Sequence, residues 1–271
     1  ISTGYSDIAV PFINAGKIQN KGIELSLTTQ NIKGEFSWNT DFNISINRNK
    51  VMSLNDTIPM LRGNVGFNYS IARIEVGHPV DIFYGFVTDG VFQSQAEVDA
   101  HAVQVPGNDP YNRTSAGDIR FKDLNSDGII DDKDRTYIGN PNPDFYFSLN
   151  NTFDYKGFDL SIFLQGVYGN DIFNANRIWT EGMAVAYNQC AETLNRWTGT
   201  GNSNSMPRSI FNDPNKNTRP SDRYIEDGSY VRVKNVSLGY TIPKRIFEKF
   251  NISSARFYLS GTNLFTLTKY N

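Results

Sequence analysis

The segment from Asp123 to Asp134 has the residue types and the spacing of a calcium loop of the EF-hand type. Such a loop carries oxygen side chains at positions 1, 3 and 5, glycine at position 6, a carbonyl ligand at position 7 and a carboxylate at position 12. Gly128 fits position 6, because glycine adopts the positive φ that a tight wrap around one cation requires. The predicted ligands of a structural Ca²⁺ are Asp123, Asn125, Asp127, the carbonyl of Ile129, and Asp134.

The alternative is an ordinary turn, since Asp, Asn and Gly cluster in turns for local hydrogen bonding. We favour the calcium loop, because six spaced positions match at once. Asp134 replaces the usual bidentate Glu, which indicates a weaker or purely structural site. Residues 117–122 before the loop alternate like a strand rather than an amphipathic helix. We therefore expect the ion to hold a long loop in shape rather than to operate a switch. Ile130, at position 8, is predicted to turn inward against apolar neighbours.

The composition of the 271 residues is typical of an all-β protein: aromatic residues make up 13% and glycines number 22. The net charge of −2 argues against a nucleic-acid partner, since such proteins normally present a basic face. Cys190 is the single cysteine, which excludes an internal disulfide. The sequence has one cysteine and two histidines, His78 and His101, which are too few for a zinc site built from Cys and His ligands.

Long alternating segments predict strands with one apolar and one polar face. Between Phe36 and Ile46, apolar residues alternate with polar residues over roughly 30 Å at about 3.3 Å per residue, about twice the length of an ordinary strand. No run of about 18 apolar residues is present for a membrane helix, but a membrane strand needs only such alternation. The six segments with this pattern are 21–29, 36–46, 145–153, 158–164, 230–242 and 255–268.

The predicted strands are joined alternately by tight turns and by long irregular excursions. Turns are expected at Lys33–Gly34 and 154–157, and the excursions cover 88–141 and 169–227. The apolar parity shifts near Lys234–Asn235, which predicts a β-bulge. Two finer predictions are a loop with a short element over Val51–Val76 and a short helix near 184–197.

This organisation is typical of an antiparallel up-and-down transmembrane β-barrel segment with long extracellular loops. The alternative is a soluble β-sandwich, for example a carbohydrate-binding module with a structural calcium site, whose strands also alternate but are shorter. Aromatic residues near predicted strand ends would suit the interfacial girdles of a barrel: Phe36, Trp38, Phe145, Phe153, Tyr155, Phe158 and Tyr240.

Six motifs in order along the chain resemble the C-terminal part of the SusC/RagA-type TonB-dependent outer-membrane transporters of Bacteroidetes. The likeness covers nearly the whole chain, and six ordered motifs are far more specific than one. They are QNKGIEL at 19–25, WNTDFNISINRNKV at 38–51, GDIRFKDLNSDG at 117–128, IGNPNPDF at 138–145, GSYVRVKNVSLGY at 228–240 and SGTNLFTLT at 260–268.

The resemblance implies that residues 1–271 supply about seven or eight strands of a plugged barrel of about 22 strands in the cell outer membrane. It implies the import of glycans, oligosaccharides or peptides with energy from the TonB complex, and a SusD-like surface lipoprotein as a lid. Outer-membrane lipid would surround the barrel, and 88–141 would be an extracellular loop carrying the calcium loop. The plug and the TonB box are expected elsewhere in a longer protein.

Two other classes of function fit less well. A cohesin-partner module would need a second calcium loop with flanking helices, and the sequence has neither. An enzyme would need paired groups, and no pairing is evident for the carboxylates Asp81, Asp89, Asp144 and Glu181 or for the two histidines. We therefore expect no catalysis. Substrate-binding residues stay unassigned, although four aromatic residues in loops could stack on a ligand: Tyr168, Trp179, Tyr187 and Trp197.

Overall fold

The computed structural model of the chain describes residues 16–55, 59–65, 69–246 and 254–270. Within that part, no helix has the length and apolarity needed to cross a bilayer. The predicted loop over Val51–Val76 includes residues 56–58 and 66–68, which lie outside the described residues.

Strands dominate the structure. In chain order the first half has β1 (Gly16–Ile32), β2 (Phe36–Leu54), β3 (Met60–Asn64), β4 (Ser70–Ile74), β5 (Ile82–Gly85), β6 (Thr88–Val91), α1 (Gln95–Ala100), β7 (Ile119–Phe121) and β8 (Thr136–Gly139). The second half has β9 (Phe145–Tyr155), β10 (Phe158–Tyr168), β11 (Asp171–Phe173), α2 (Asn176–Glu181), β12 (Ile225–Asp227), β13 (Tyr230–Ile242) and β14 (Ala255–Thr268). Short 3-10 helices lie at Asp132–Asp134, Ala191–Asn195, Asp222–Tyr224 and Lys244–Ile246.

The six long strands form one antiparallel sheet in the order β1-β2-β9-β10-β13-β14. Each neighbour in this order is the next long strand along the chain, so the sheet is an up-and-down meander. The predicted all-β, antiparallel fold is confirmed. A register shift between Val233 and Asn235 in the β13–β14 pair confirms the predicted bulge.

The register places apolar residues opposite one another across the whole sheet. Leu25 pairs with Ile44, which pairs with Phe147. On the same face, toward the other edge of the sheet, Leu160 pairs with Leu238, which pairs with Leu259. Because side chains alternate between faces, these pairs make one continuous apolar face. That face is open: Ile23 is 71% exposed and Leu259 is 77% exposed.

The opposite face of the same sheet is polar. Asp41 pairs with Asn150, and Ser237 pairs with both Ser161 and Ser260. These side chains also bond across strands: Ser161 Oγ donates to Asn150 Oδ1 at 3.2 Å. The sheet therefore separates an apolar surface from a hydrogen-bonding surface, as the alternation in the sequence predicts.

A small polar cluster interrupts the apolar face near its turn end. Asn151 pairs with Thr40 and Ile162, so its side chain shares the apolar face. Its Oδ1 accepts hydrogen bonds from Trp38 Nε1 at 2.9 Å and from Thr40 Oγ1 at 2.7 Å. The polar groups therefore satisfy one another on an apolar surface, where an unpaired group would be costly.

Short turns and long excursions lie at opposite ends of the sheet. Residues 33–35 join β1 to β2, and Lys156–Gly157 join β9 to β10 with φ of 48° and 87°. Two positive φ values are typical of a type I′ hairpin turn, which glycine favours. The other end carries residues 55–144 between β2 and β9 and residues 169–229 between β10 and β13, hereafter the first and second excursions.

Aromatic residues gather at both ends of the apolar face. At the turn end Phe153 stacks between Phe36 and Trp38, with ring centroids 6.4 and 5.8 Å away. At the excursion end Phe145 stacks on Tyr168 at 5.2 Å. Stacked rings therefore form an aromatic band at each end of the face.

Candidate functional site

The acidic loop from Asp123 to Asp134 lies between β7 and β8 in the first excursion. Its first three predicted ligands each accept a local backbone hydrogen bond. Asp123 Oδ2 accepts from Gly128 N at 2.8 Å, Asn125 Oδ1 from Asp127 N at 2.9 Å, and Asp127 Oδ1 from Ile129 N at 3.1 Å. These bonds curl the loop, and within the curl Asn125 Nδ2 donates to Asp127 Oδ2 at 3.0 Å.

Gly128 has a φ of 82°, and a Cβ there would meet nothing within 4 Å. Glycine is therefore needed for its backbone conformation rather than for space. On both sides of the loop's seventh residue the backbone is tied to Val103, whose N donates to the carbonyl of Gly128 and whose carbonyl accepts from Ile130 N, both at 2.9 Å. The loop is thus fastened to the rest of the excursion.

Asp134, the predicted twelfth-position ligand, is fully buried, and its hydrogen bonds hold the base of the loop together. Its Oδ1 accepts from Leu124 N and its Oδ2 from Asp131 N, both at 2.9 Å. Together with Asp131 it forms the capping box of the Asp132–Asp134 3-10 helix. Within the described residues, no three His, Cys, Asp or Glu side chains are gathered as a metal site, so Asp134 is not assembled with Asp123 and Asp127.

Two features leave the loop receptive to positive charge. Asp123 Oδ1 is buried and has no hydrogen-bond partner. The backbone N–H of Ile129, followed by Asn125 and Lys133, holds the pKa of the Asp127 carboxyl below its usual range. Lys133 Nζ lies 3.6 Å from Asp127 Oδ2. A buried, unpartnered carboxylate oxygen and an ionised carboxylate in the same loop are ligand types that suit a hard cation.

The second half of the loop is anchored by Ile130. This residue is 5% exposed and packs in a core with Phe86, Ile119 and Phe121, which confirms the predicted inward turn. Arg219 from the second excursion lies over the rings of Phe86 and Phe121, at 4.9 and 4.5 Å from their centroids. The loop therefore rests on a core to which both excursions contribute.

A buried ion pair joins the two excursions just before the loop. Asp118 in the first excursion is fully buried and receives a bidentate contact from Arg208 in the second, with both bonds at 2.9 Å. Asp118 also accepts from Asn217 Nδ2 at 3.1 Å and from Ser115 N at 2.8 Å. A carboxylate without exposure needs this set of donors, since an unpaired buried charge is strongly unfavourable.

A set of buried amides extends this junction. Gln104 Nε2 donates to Asn215 Oδ1 at 2.8 Å, and Gln104 Oε1 accepts from Phe121 N at 2.7 Å. Asn215 is fully buried and donates to Asn217 Oδ1 at 2.7 Å. Polar residues in loops predict solvent exposure, so sequence reasoning missed this junction. The high asparagine content of the second excursion was its only signal.

The four loop aromatics do not gather into one binding surface. Trp179 and Tyr187 have ring centroids 5.6 Å apart. Trp197 packs against Gly117, where a Cβ would lie 2.4 Å from its ring, and Tyr168 belongs to the aromatic band of the sheet. Only Trp179 and Tyr187 are therefore close to each other.

The residues that an enzyme would need have ordinary partners. Each of the four carboxylates forms an ion pair with an arginine: Asp81 with Arg62, Asp89 with Arg120, Asp144 with Arg48 and Glu181 with Arg177, which Glu226 also contacts. His78 stacks on a tyrosine ring and His101 packs against a phenylalanine ring. Burial raises the pKa of the Cys190 thiol, which disfavours the thiolate.

Curated proteins with similar sequences are TonB-dependent receptors. TonB-dependent receptor P3 of Formosa agariphila is 34% identical over 270 residues, which cover 98% of this chain and 26% of the receptor. TonB-dependent receptor P26 of the same organism is 34% identical over 93% of the chain and 25% of the receptor. TonB-dependent receptor SusC of Bacteroides thetaiotaomicron is 24% identical over 95% of the chain and 24% of SusC. No family model matches.

Solved structures give the same picture of the fold. The RagAB peptide transporter matches 94% of this chain with a TM-score of 0.71 and 22% identity, over 26% of the solved chain. The RagAB peptide importer in its closed-closed state matches 95% with a TM-score of 0.69 and 24% identity, over 27% of the solved chain. The chain spans about a quarter of the length of the curated relatives it matches. Over nearly its whole length the chain thus matches a segment of the SusC/RagA-type TonB-dependent receptors.

Proposed function

We propose that the complete receptor containing this chain is a TonB-dependent active transporter of the outer membrane that imports oligosaccharides or peptides. The observation that carries the proposal is the six-stranded sheet with one open apolar face and one polar face. In a barrel wall the apolar face contacts lipid and the polar face lines an aqueous interior. A β-sandwich would instead cover its apolar face with a second sheet. The described residues also form a four-stranded sheet, β3-β4-β5-β8, but the apolar residues of the six-stranded sheet, such as Ile23 and Leu259, stay exposed.

The two excursions are the part of the chain suited to meet solutes and partners. They leave the same end of the sheet and are joined by buried contacts, so they form a shaped body at the mouth of the proposed barrel. A SusD-like lipoprotein over this body and energy from the TonB complex complete the proposal. RagAB is a peptide transporter, which supports peptides as one substrate class.

Uptake measurements test this function. We expect the receptor in the detergent-extracted outer-membrane fraction, with a surface lipoprotein that co-purifies. Cells carrying it should take up labelled oligosaccharides or labelled peptides, and collapse of the proton gradient should abolish that uptake. A small solute that diffuses through porins is the control and should be unaffected. Recovery of the receptor from the soluble fraction, or uptake that persists without the gradient, would contradict the proposal.

We also propose that the acidic loop binds a structural Ca²⁺. Asp123, Asn125 and Asp127 would hold the ion with the carbonyl of Ile129. Asp134 would join them only when the loop closes around the ion, because in the structure its two oxygens accept backbone hydrogen bonds at the base of the loop. The unpartnered Oδ1 of Asp123 supports this proposal, because a buried carboxylate oxygen otherwise lacks a positive partner. The ion would fix the shape of the first excursion.

Trypsin cleavage of the complete receptor tests the calcium proposal. Lys122 and Lys133 are exposed and flank most of the loop, so cleavage after them reports its rigidity. We expect a chelator to speed this cleavage, and Asp127→Ala to speed it to the same degree while weakening calcium binding at least about tenfold. Asp132→Ala is the matched control, since that side chain is 92% exposed and outside the ligand set. Unchanged cleavage under both treatments would mean that the loop is an ordinary turn.

A further inference from the structure

A cavity of about 270 Å³ lies between the second half of the acidic loop and the second excursion. Asp131 and Asp132 line it from the loop, and Lys216 and Arg219 line it from the second excursion. Its volume is just below the range of about 300–1,000 Å³ of ligand pockets, so it suits one small chemical group. No predicted calcium ligand lines this cavity.

Arg219 carries a buried charge without an ion pair. It is 4% exposed, and its Nε and one Nη donate to the carbonyls of Lys216 and Asn215 at 3.1 and 2.7 Å. Asp213 and Asp132 act on it through space, but neither forms an ion pair with it in the part of the chain that the structure describes. Burial outweighs Tyr69 and these carboxylates and lowers the pKa of the Arg219 guanidinium.

Lys216 adds a second cation from a backbone position that a tight turn fixes. Its ammonium has no ion-pair partner among residues 16–55, 59–65, 69–246 and 254–270. Its backbone is held at a φ of 56° in a tight turn, where Asp213 accepts hydrogen bonds from Asn217 N and Thr218 N at 2.7 and 2.9 Å. A non-glycine residue adopts such a φ only where the surroundings impose it.

The two carboxylates on the opposite wall already have cations. Asp131 Oδ1 accepts from Lys133 N at 2.8 Å, and its Oδ2 lies 3.8 Å from Lys133 Nζ. Asp132 lies 3.8 Å from Arg135. Lys133 is shared between Asp131 and Asp127. Among the charged residues that line the cavity, Lys216 and Arg219 are therefore the two that form no ion pair within the described part of the chain.

We propose that this cavity binds a small oxyanion, a carboxylate or sulfate group, between Lys216 and Arg219. The planar guanidinium suits two oxygens of such a group, and the flexible ammonium closes over a third side. Phe86 and Phe121 hold the guanidinium in place by stacking. The site does not depend on import, because it is a property of the two excursions.

Equilibrium dialysis of the complete, detergent-solubilised receptor tests the site, with labelled sulfate in one arm and labelled acetate in the other at constant ionic strength. We expect at least one of the two anions to bind. Lys216→Gln should weaken binding about fivefold, as loss of one exposed charge pair of about 1 kcal/mol predicts. Arg219→Lys keeps the charge but removes the planar fork, and should weaken binding about tenfold.

Lys122→Gln is the matched control, since Lys122 is an exposed lysine of the first excursion outside the cavity. It should bind the anion as the wild type does. Failure of both anions to bind the wild type would overturn the proposal. So would equal binding by the wild type and Lys216→Gln, a variant with an exposed side chain whose folding is not at risk. The arm that binds more tightly identifies the preferred oxyanion.

Discussion

Arg208→Ala is expected to destabilise the junction of the two excursions by about 3–5 kcal/mol, because it leaves the fully buried Asp118 carboxylate without its cation. The remaining donors, Asn217 Nδ2 and Ser115 N, are neutral. Hydrogen exchange in the complete receptor measures the effect. Amides of residues 115–121 and 213–219 should exchange at least a hundredfold faster, since each 1.36 kcal/mol is a factor of about ten.

Arg62→Ala is the control for this experiment. Arg62 lies 3.8 Å from Asp81 in the same excursion, but the side chains are 61% and 45% exposed. Exposed ion pairs contribute about 0–1 kcal/mol, so exchange should change little. Equal effects of the two substitutions would contradict the role we assign to the buried pair.

Leu238→Arg is expected to destabilise the receptor in a bilayer by about 2–4 kcal/mol, because it puts a charge on the apolar face of the proposed barrel wall. Leu238 is 49% exposed and is flanked by Leu160 and Leu259. The measurement is the temperature at which the folded receptor, extracted from outer membranes, loses its compact mobility on a detergent gel. The amount of receptor in the outer membrane should fall as well.

Ser237→Arg is the matched control, one residue away on the same strand. Ser237 lies on the polar face between Ser161 and Ser260. An arginine there can remain hydrated in an aqueous interior, so the expected loss is below about 1 kcal/mol. If Ser237→Arg is the more damaging substitution, our assignment of the two faces is inverted.

The sheet could be predicted because its information is local. Period-two alternation identifies each strand and assigns its faces, and the shift of parity at Lys234–Asn235 located the bulge. The position of the tight turn at Lys156–Gly157 follows from glycine's conformational freedom. Predicting the strands, the bulge and this turn therefore requires no knowledge of distant contacts.

The interior of the excursions could not be predicted in the same way. Gln104 and Asn215 are 111 residues apart, and no local pattern marks either as buried. Helix α1 was missed although Ser94, its N-cap, and Glu97 carry the capping signature, because six residues give no periodicity. The predicted helix near 184–197 is reduced to a 3-10 turn at Ala191–Asn195, and the region Val51–Val76 contains β3 and β4 and the end of β2.

In the candidate site, too, the local features could be predicted and the long-range ones could not. The curl of Asp123, Asn125 and Asp127 rests on bonds two to five residues apart, which spacing predicts. The burial of Asp134 and its engagement by Leu124 N depend on how the loop closes at its base. Spacing fixes which side chains an ion can meet, but not which backbone donors compete for them.

The buried junction between the excursions also sets an order of events in folding. Asp118 and Asn217 are 99 residues apart, and the β9–β10 hairpin lies between them along the chain. Contacts of such separation carry a large loop-closure entropy and form slowly. We expect the hairpin to pair first and to bring the two segments within reach, so that the junction closes last. A receptor halted before that step would have a paired β-sheet, but its two excursions would not yet be joined.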